Sequence, residues 1–223
     1  MTEITSVFKG KMYKKYLKRF IDIASALFLL ILFFIPAIFI SIAIKLSSKG
    51  PIFADVPERI GEHGRKFRMY KFRSMIENAH QLLTTDPRFK ALYNQYKKGS
   101  YKLYNDPRVT PIGKFIRKHS LDEIPQVLNV LLGDMSLIGP RAYYPDELND
   151  QQEQYPHAQK LVDKVLSVKP GITGLWQVSG RSEINFDERI VIDAQYVDKL
   201  SLKNDIIIIL KTPYVMLTGK GAV

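Results

Sequence analysis

The stretch Ile23-Ala24-Ser25-Ala26-Leu27-Phe28-Leu29-Leu30-Ile31-Leu32-Phe33-Phe34-Ile35-Pro36-Ala37-Ile38-Phe39-Ile40-Ser41-Ile42-Ala43-Ile44 runs for 22 residues without a charge. As a helix it is long enough to reach across a hydrocarbon core. A signal peptide has a shorter apolar region and a small-residue cleavage site, and neither is present. A buried core helix is the weaker reading, because the segment has no polar face. Both flanks are basic, with Lys9, Lys11, Lys14, Lys15, Lys18 and Arg19 before it and Lys45, Lys49, Arg59, Arg65, Lys66 and Arg68 after it. A spanning helix asks for that excess on one side only. Pro36 removes a helix hydrogen bond and forces a kink, and Ser25 and Ser41 are placed to satisfy freed backbone groups. A helix-break-helix that enters and leaves a membrane through one face reconciles these facts; a simple spanning helix is the alternative.

Working outward, the 223 residues allow one medium domain plus an accessory element. The expected organisation is a basic segment at 1–20, a re-entrant membrane helix at 21–48 broken near Pro36, and a compact domain at 49–223. The fold class is α/β, mostly helical with a small β element. A net charge of +11 calls for an acidic partner: nucleic acid, anionic lipid headgroups or a phosphate-rich substrate. The absence of cysteine excludes disulfides, thiolate catalysis and Cys-bound zinc. His63, His80, His119 and His157 are scattered without metal-ligand spacing, which argues against a zinc enzyme.

Within 51–75 the pattern predicts short strands around the turn Gly61-Glu62-His63-Gly64. Alternation there puts Phe67, Met69, Lys71 and Arg73 on one face and Lys66, Arg68, Tyr70 and Phe72 on the other. Residues 74–96 read as helix with a break at Asp86-Pro87, and 97–105 as a polar loop. Helices are predicted over 121–132, closed by Gly133-Asp134, and over 144–166, interrupted at Pro156. Another is predicted over 186–200, and an apolar core or interfacial helix over 206–217, bracketed by Lys203, Lys211 and Lys220.

Two adjacent carboxylates, Asp122 and Glu123, sit in the run Arg117-Lys118-His119-Ser120-Leu121-Asp122-Glu123-Ile124-Pro125-Gln126. Ser120 with Glu123 matches a capping box, but Pro125 would then interrupt the helix at its fifth residue. A start nearer Asp122 keeps the proline in the first turn, where it is tolerated. Either way the pair lies at a predicted helix N-terminus, which favours anions, both these carboxylates and a phosphate.

The ordered set Lys71-Phe72-Arg73-Ser74-Met75, Asp106-Pro107-Arg108-Val109-Thr110, Gly113-Lys114-Phe115-Ile116-Arg117, Ser120 to Gln126, Gly133 to Arg141, Lys169 to Gly174, Gly180-Arg181 and Asp193 to Val197 resembles the bacterial sugar transferases that act at polyprenyl phosphate. The likeness runs from about residue 13 to the end. The resemblance implies a re-entrant anchor and a catalytic domain on the cytoplasmic face of the bacterial inner membrane. It further implies transfer of a sugar-1-phosphate from a UDP-sugar to undecaprenyl phosphate with release of UMP. Asp122 then matches the nucleophile of a covalent phosphosugar intermediate and Glu123 the residue that holds Mg²⁺. Lys71, Arg73, Arg117, Arg141, Arg181 and Asp193 fall on positions that bind phosphate or nucleotide or support the site. The chain departs from the family at Ala142, where a proline often follows Arg141, and at Ile35, where a serine often precedes Pro36.

That chemistry is physically coherent, because Mg²⁺ and Arg or Lys groups neutralise the repulsion between an attacking carboxylate and a phosphate. Mg²⁺ takes few protein oxygens and the rest from water and substrate phosphates. The basic surplus serves the diphosphate and anionic membrane lipids. A nucleic-acid module would need a reading helix or aromatics interleaved with the basic patch, and neither is present. A direct ternary transfer with the dyad as general base, an N-acetylated sugar, a scaffold role and a homodimer are the open alternatives. Leu175-Trp176-Gln177-Val178 and Ser179-Gly180-Arg181 resemble members that handle glucose or galactose.

Overall fold

A computed structural model describes residues 13–98, 101, 103, 105–219 and 221. The basic segment 1–12, with Lys9 and Lys11, and Lys220 lie outside the described residues. After a π-helical turn, Tyr13–Leu17, the apolar stretch forms α1 (Lys18–Leu32) and α2 (Phe34–Ser47). They meet at Phe33 with a bend of 59°. No single helix among the described residues is long and apolar enough to cross a membrane; only taken together does this bent pair reach that length and composition. The break falls three residues before Pro36, which lies in the first turn of α2, where its missing N–H costs no ladder bond. Ser41 Oγ donates to Ala37 O, one turn back, and takes no part in the break.

All three charges in the first turns of α1 bind the body of the protein. Arg19 donates to the carbonyls of Val130 and Leu131, and Asp22 Oδ1 accepts from Ser136 Oγ and Leu137 N, both at 2.9 Å. The third, Lys18, reaches Asp205 at 2.7 Å, which also accepts from the hydroxyls of Tyr13 and Tyr196. Below these contacts Ala26 packs among Phe67, Met69, Val127, Val130 and Met135. Phe28, Ile31, Phe34, Ile35 and Phe39 stay exposed.

The domain is helical around two small sheets. β1 (Arg59–Ile60) pairs antiparallel with β2 (Lys66–Phe67) across the expected turn. Helices α3 (Ala79–Thr85) and α4 (Lys90–Lys98) flank the Asp86-Pro87 break, and α5 (Pro111–Lys118) starts at a Thr110 cap. Helix α6 (Gln126–Leu132) stops at Gly133, whose φ of 92° is left-handed. β3 (Ser136–Ile138) then runs parallel to β4 (Gly171–Thr173), with Ser136 opposite Gly171 and Ile138 opposite Thr173. Between them lie α7 (Pro145–Gln154) and α8 (Gln159–Val165), separated at Pro156 as expected. The two chains approach so closely that a Cβ on Gly171 would lie 2.0 Å from Gly139 N. Glycine there is a packing requirement rather than a turn preference.

The chain closes with α9 (Leu175–Ser179), α10 (Phe186–Asp198) and α11 (Leu202–Thr218). The largest core joins Tyr143 and Leu148 to Val162, Val165, Phe186 and Ile190. α11 turns Ile208 inward and leaves Ile206, Leu210, Tyr214 and Leu217 exposed. One further device positions the site. The buried Asn129 side chain accepts from Tyr70 N and donates to Arg68 O, as a neighbouring strand would. This fixes the extended segment that ends at Lys71.

Candidate active site

The predicted continuous helix over 121–132 is divided. Leu121–Glu123 forms a single 3₁₀ turn, and α6 begins only after Pro125. The capping box is not formed. Ser120 has a left-handed φ of 55° and makes no side-chain cap. Its hydroxyl instead accepts from Arg181 Nη2 at 2.6 Å. Arg181 is itself left-handed, with a φ of 53°. Two non-glycine residues in that sparsely populated region, bonded to each other, mark backbone strain of the kind held at functional sites.

The turn aims both carboxylates into one cavity of about 320 Å³. The extended segment meets them there, because Phe72 N donates to Asp122 O at 2.9 Å. Lys71 Nζ lies 2.6 Å from Glu123 Oε1 and 3.7 Å from Asp122 Oδ2. Burial pushes the Asp122 carboxyl up, and Glu123 adds to this, against Lys71 and Arg117. Burial acts the same way on Glu123, yet the charge and hydrogen bond of Lys71, with Arg181 and Arg141, hold it below its ordinary value. The two adjacent acids are thus driven apart: Glu123 is the more firmly ionised.

Arg117, in the last turn of α5, lines the same cavity. Arg141 follows β3, and its backbone N–H donates to Asp193 Oδ2, which also accepts from Tyr143 OH at 2.8 Å. The Arg141 guanidinium lies 5.1 Å from the Trp176 ring and 3.8 Å from Glu147. Glu147 is fully buried with Arg189, at 2.6 Å. Trp176 is buried, as expected for a core residue, and serves as the platform for both arginines. Arg108 is held by Asp106 and by Ala79 O.

Arg73 does not bring its charge to the carboxylates. Alternation put it beside Lys71, but its guanidinium donates to the carbonyls of Ser48 and Lys49 at the end of α2. Unpaired helix-end carbonyls are strong acceptors, and they outcompete the cavity for this cation. Asp193 is fully buried behind Arg141, so it supports the site from outside the cavity. Sequence reasoning missed Arg59, Tyr144, Tyr96 and His80, which line the same cavity.

Burial raises the Asp193 carboxyl from an ordinary 3.8 to about 7. Between those values the folded protein keeps a proton that the unfolded chain has lost. The contribution of this group is therefore fully present below about pH 4 and is lost as pH rises to about 7. Asp193→Asn keeps an acceptor for Arg141 and Tyr143 but does not titrate. Its Tm should rise relative to the parent across that window; a difference that stays constant with pH refutes the assignment.

Among the described residues no group of three or more His, Cys, Asp or Glu side chains is placed to hold a metal. One or two carboxylate oxygens in a cavity lined by cations are nevertheless a donor set that Mg²⁺ takes, with water and other oxygens supplying the rest. Lys71 Nζ on Glu123 shows the pair already drawing a cation. The residues fit that ion.

A family model described as Bacterial sugar transferase matches residues 13–219. The chain is 43% identical, over 96% of its length, to the undecaprenyl-phosphate galactose phosphotransferase of Salmonella typhimurium. It is 47% identical over 92% to the galactosyl transferase CpsE of Streptococcus agalactiae serotype III, and it spans 43% of the length of each. With the exopolysaccharide production protein ExoY of Rhizobium meliloti it shares 38% identity, covering 92% of this chain and 87% of that one.

Proposed function

Because the chain belongs to the bacterial sugar transferase family, we propose that it transfers a hexose-1-phosphate from a UDP-sugar to undecaprenyl phosphate, releasing UMP. The observation that carries this reading is the Asp122–Glu123 pair, aimed into a cation-lined cavity and split electrostatically by Lys71. An Asp122 oxygen attacks the sugar-side phosphorus. The bond from that phosphorus to the bridging oxygen breaks, and the oxygen leaves with UMP, keeping the electron pair. A phosphate oxygen of the lipid then attacks the same phosphorus and returns Asp122 to a carboxylate. Lys71, Arg117, Arg141 and Arg181 offset the charge that gathers on the phosphoryl oxygens. Glu123, with Asp122 beside it, would hold Mg²⁺, which when bound supplies further neutralisation of the diphosphate.

The bent pair α1–α2 is the membrane anchor in this proposal. Its exposed apolar faces and those of α11 lie in the bilayer of the bacterial inner membrane, with the cavity opening to the cytoplasmic side. The basic surface favours anionic lipids. Galactose is the first sugar to test, since two of the relatives are named for it; glucose comes next and N-acetylated hexoses after that. The protein in detergent or bilayer discs, given Mg²⁺, undecaprenyl phosphate and each UDP-sugar in turn, should release UMP with one hexose well above the others. Release from none of them refutes the proposal.

A further inference from the structure

Arg59 is 6% exposed, yet among the described residues it makes no ion pair. Its guanidinium lies 3.3 Å from the centre of the Tyr144 ring, and Nη1 donates to Ala142 O at 3.1 Å. Nε is buried without a hydrogen-bond partner. A buried cation is costly unless an anion accompanies it, and an unmade hydrogen bond adds to that cost. The side chain is held flat by a ring and a carbonyl, with Nε left unoccupied. That is the geometry in which arginine takes a phosphate through two parallel bonds.

Arg59 and Tyr144 line the same cavity as the dyad. Tyr144 is the link, because its phenol is under the combined field of Arg59, Arg141 and Lys71, and Lys71 touches Glu123. The other cations near the carboxylates each hold an anion or a hydroxyl, although Arg141 Nε and Arg181 Nη1 are likewise buried without a hydrogen-bond partner. Lys71 holds the dyad, Arg181 holds Ser120, and Arg141 leans toward Glu147. A diphosphate bound with one phosphorus at Asp122 brings a second phosphate that still needs a donor.

We propose that Arg59, backed by Tyr144, binds the phosphate that stays with the nucleoside and receives it as the leaving group. The inference rests on the UDP-sugar reading of the dyad. As the bond to the bridging oxygen breaks, that oxygen gains a full charge, and the Arg59 N–H donors face it. The phosphosugar left on Asp122 no longer carries this group, so the second half of the reaction proceeds without Arg59.

The test uses Arg59→Gln and Arg59→Lys in the full chain, with UMP as a competing ligand. The KM for UDP-sugar and the UMP inhibition constant should each rise by about tenfold or more in Arg59→Gln, with a smaller rise in Arg59→Lys. Transfer from preformed phosphosugar-enzyme to undecaprenyl phosphate should keep its rate, and Tm should stay near the parent value. Unchanged UMP inhibition in a folded variant overturns the proposal. So does an equal loss in both half-reactions with a lowered Tm, which would make Arg59 a tie between β1 and residues 142–144. If Arg59→Gln does not fold, Arg59→Lys decides by the same UMP measurement. A parent protein that releases no UMP would instead remove the functional reading on which this one rests.

Discussion

Asp122→Asn is expected to lower UMP release by on the order of 10³-fold or more, because an amide oxygen cannot form the bond to phosphorus. The substitution is nearly isosteric, and the 3₁₀ turn is held by backbone contacts such as Phe72 N to Asp122 O, so the fold should persist. It also removes a carboxyl that burial disfavours in its charged form, so Tm should hold or rise. The decisive measurement is a covalent trap. The parent protein, quenched during turnover with a UDP-sugar labelled in the hexose, should carry label, and Asp122→Asn should carry none. A parent protein that turns over without ever holding label would favour direct transfer, with the dyad as general base.

Glu147→Gln should cause the largest loss of stability, about 3–5 kcal/mol, the usual cost of removing one partner of a buried pair. Glu147 and Arg189 are both 0% exposed and 2.6 Å apart, and Arg141 approaches the same oxygen. The buried Arg189 guanidinium and the half-buried one of Arg141 would lose their counter-charge together. For a domain of this size the Tm should fall by roughly 10 °C. Arg141 would also lose a support, so activity measured well below the new Tm should fall with it. A second replacement, Arg189→Met in the same chain, removes the stranded cation and should recover part of the stability. A Glu147→Gln protein that melts like the parent would show that the pair contributes nothing net.

The elements that were legible in the sequence are those whose signals are local. Asp86-Pro87, Pro156 and Gly133 each interrupt a helix for reasons carried by one or two residues. The bend in the apolar stretch was foreseen near Pro36 and lies at Phe33, since a proline is cheapest one turn inside a new helix. The pairing of β3 with β4 was not legible. Each strand is three residues long, and their register depends on two glycines that let distant backbones touch.

The site was half legible. Asp122 and Glu123 stand out as adjacent acids in a basic run, and Lys71 was tied to them only by the family resemblance, which its position in the fold matches. Arg73 shares a face with Lys71 by alternation but is taken by the carbonyls at the end of α2, a competition that no spacing rule contains. Ser120 looked like a cap and became an acceptor for Arg181 because Pro125 delays the helix. Arg59 and Tyr144 carry no local signal, since their meaning comes from stacking on each other across the fold.

The contacts of α1 and α2 with the domain bear on how this chain tolerates sequence drift. Arg19, Asp22 and Arg73 clasp backbone groups or a serine at fixed places in the body. The exposed Phe, Leu and Ile side chains of both helices touch nothing that requires their shapes. Apolar residues can therefore exchange freely at those exposed positions, while buried Ala26 and Ile44 and the three polar clasps cannot. In the membrane arrangement proposed above, those clasps act as a depth gauge: they, rather than the hydrocarbon thickness, set where Asp122 lies relative to the headgroups.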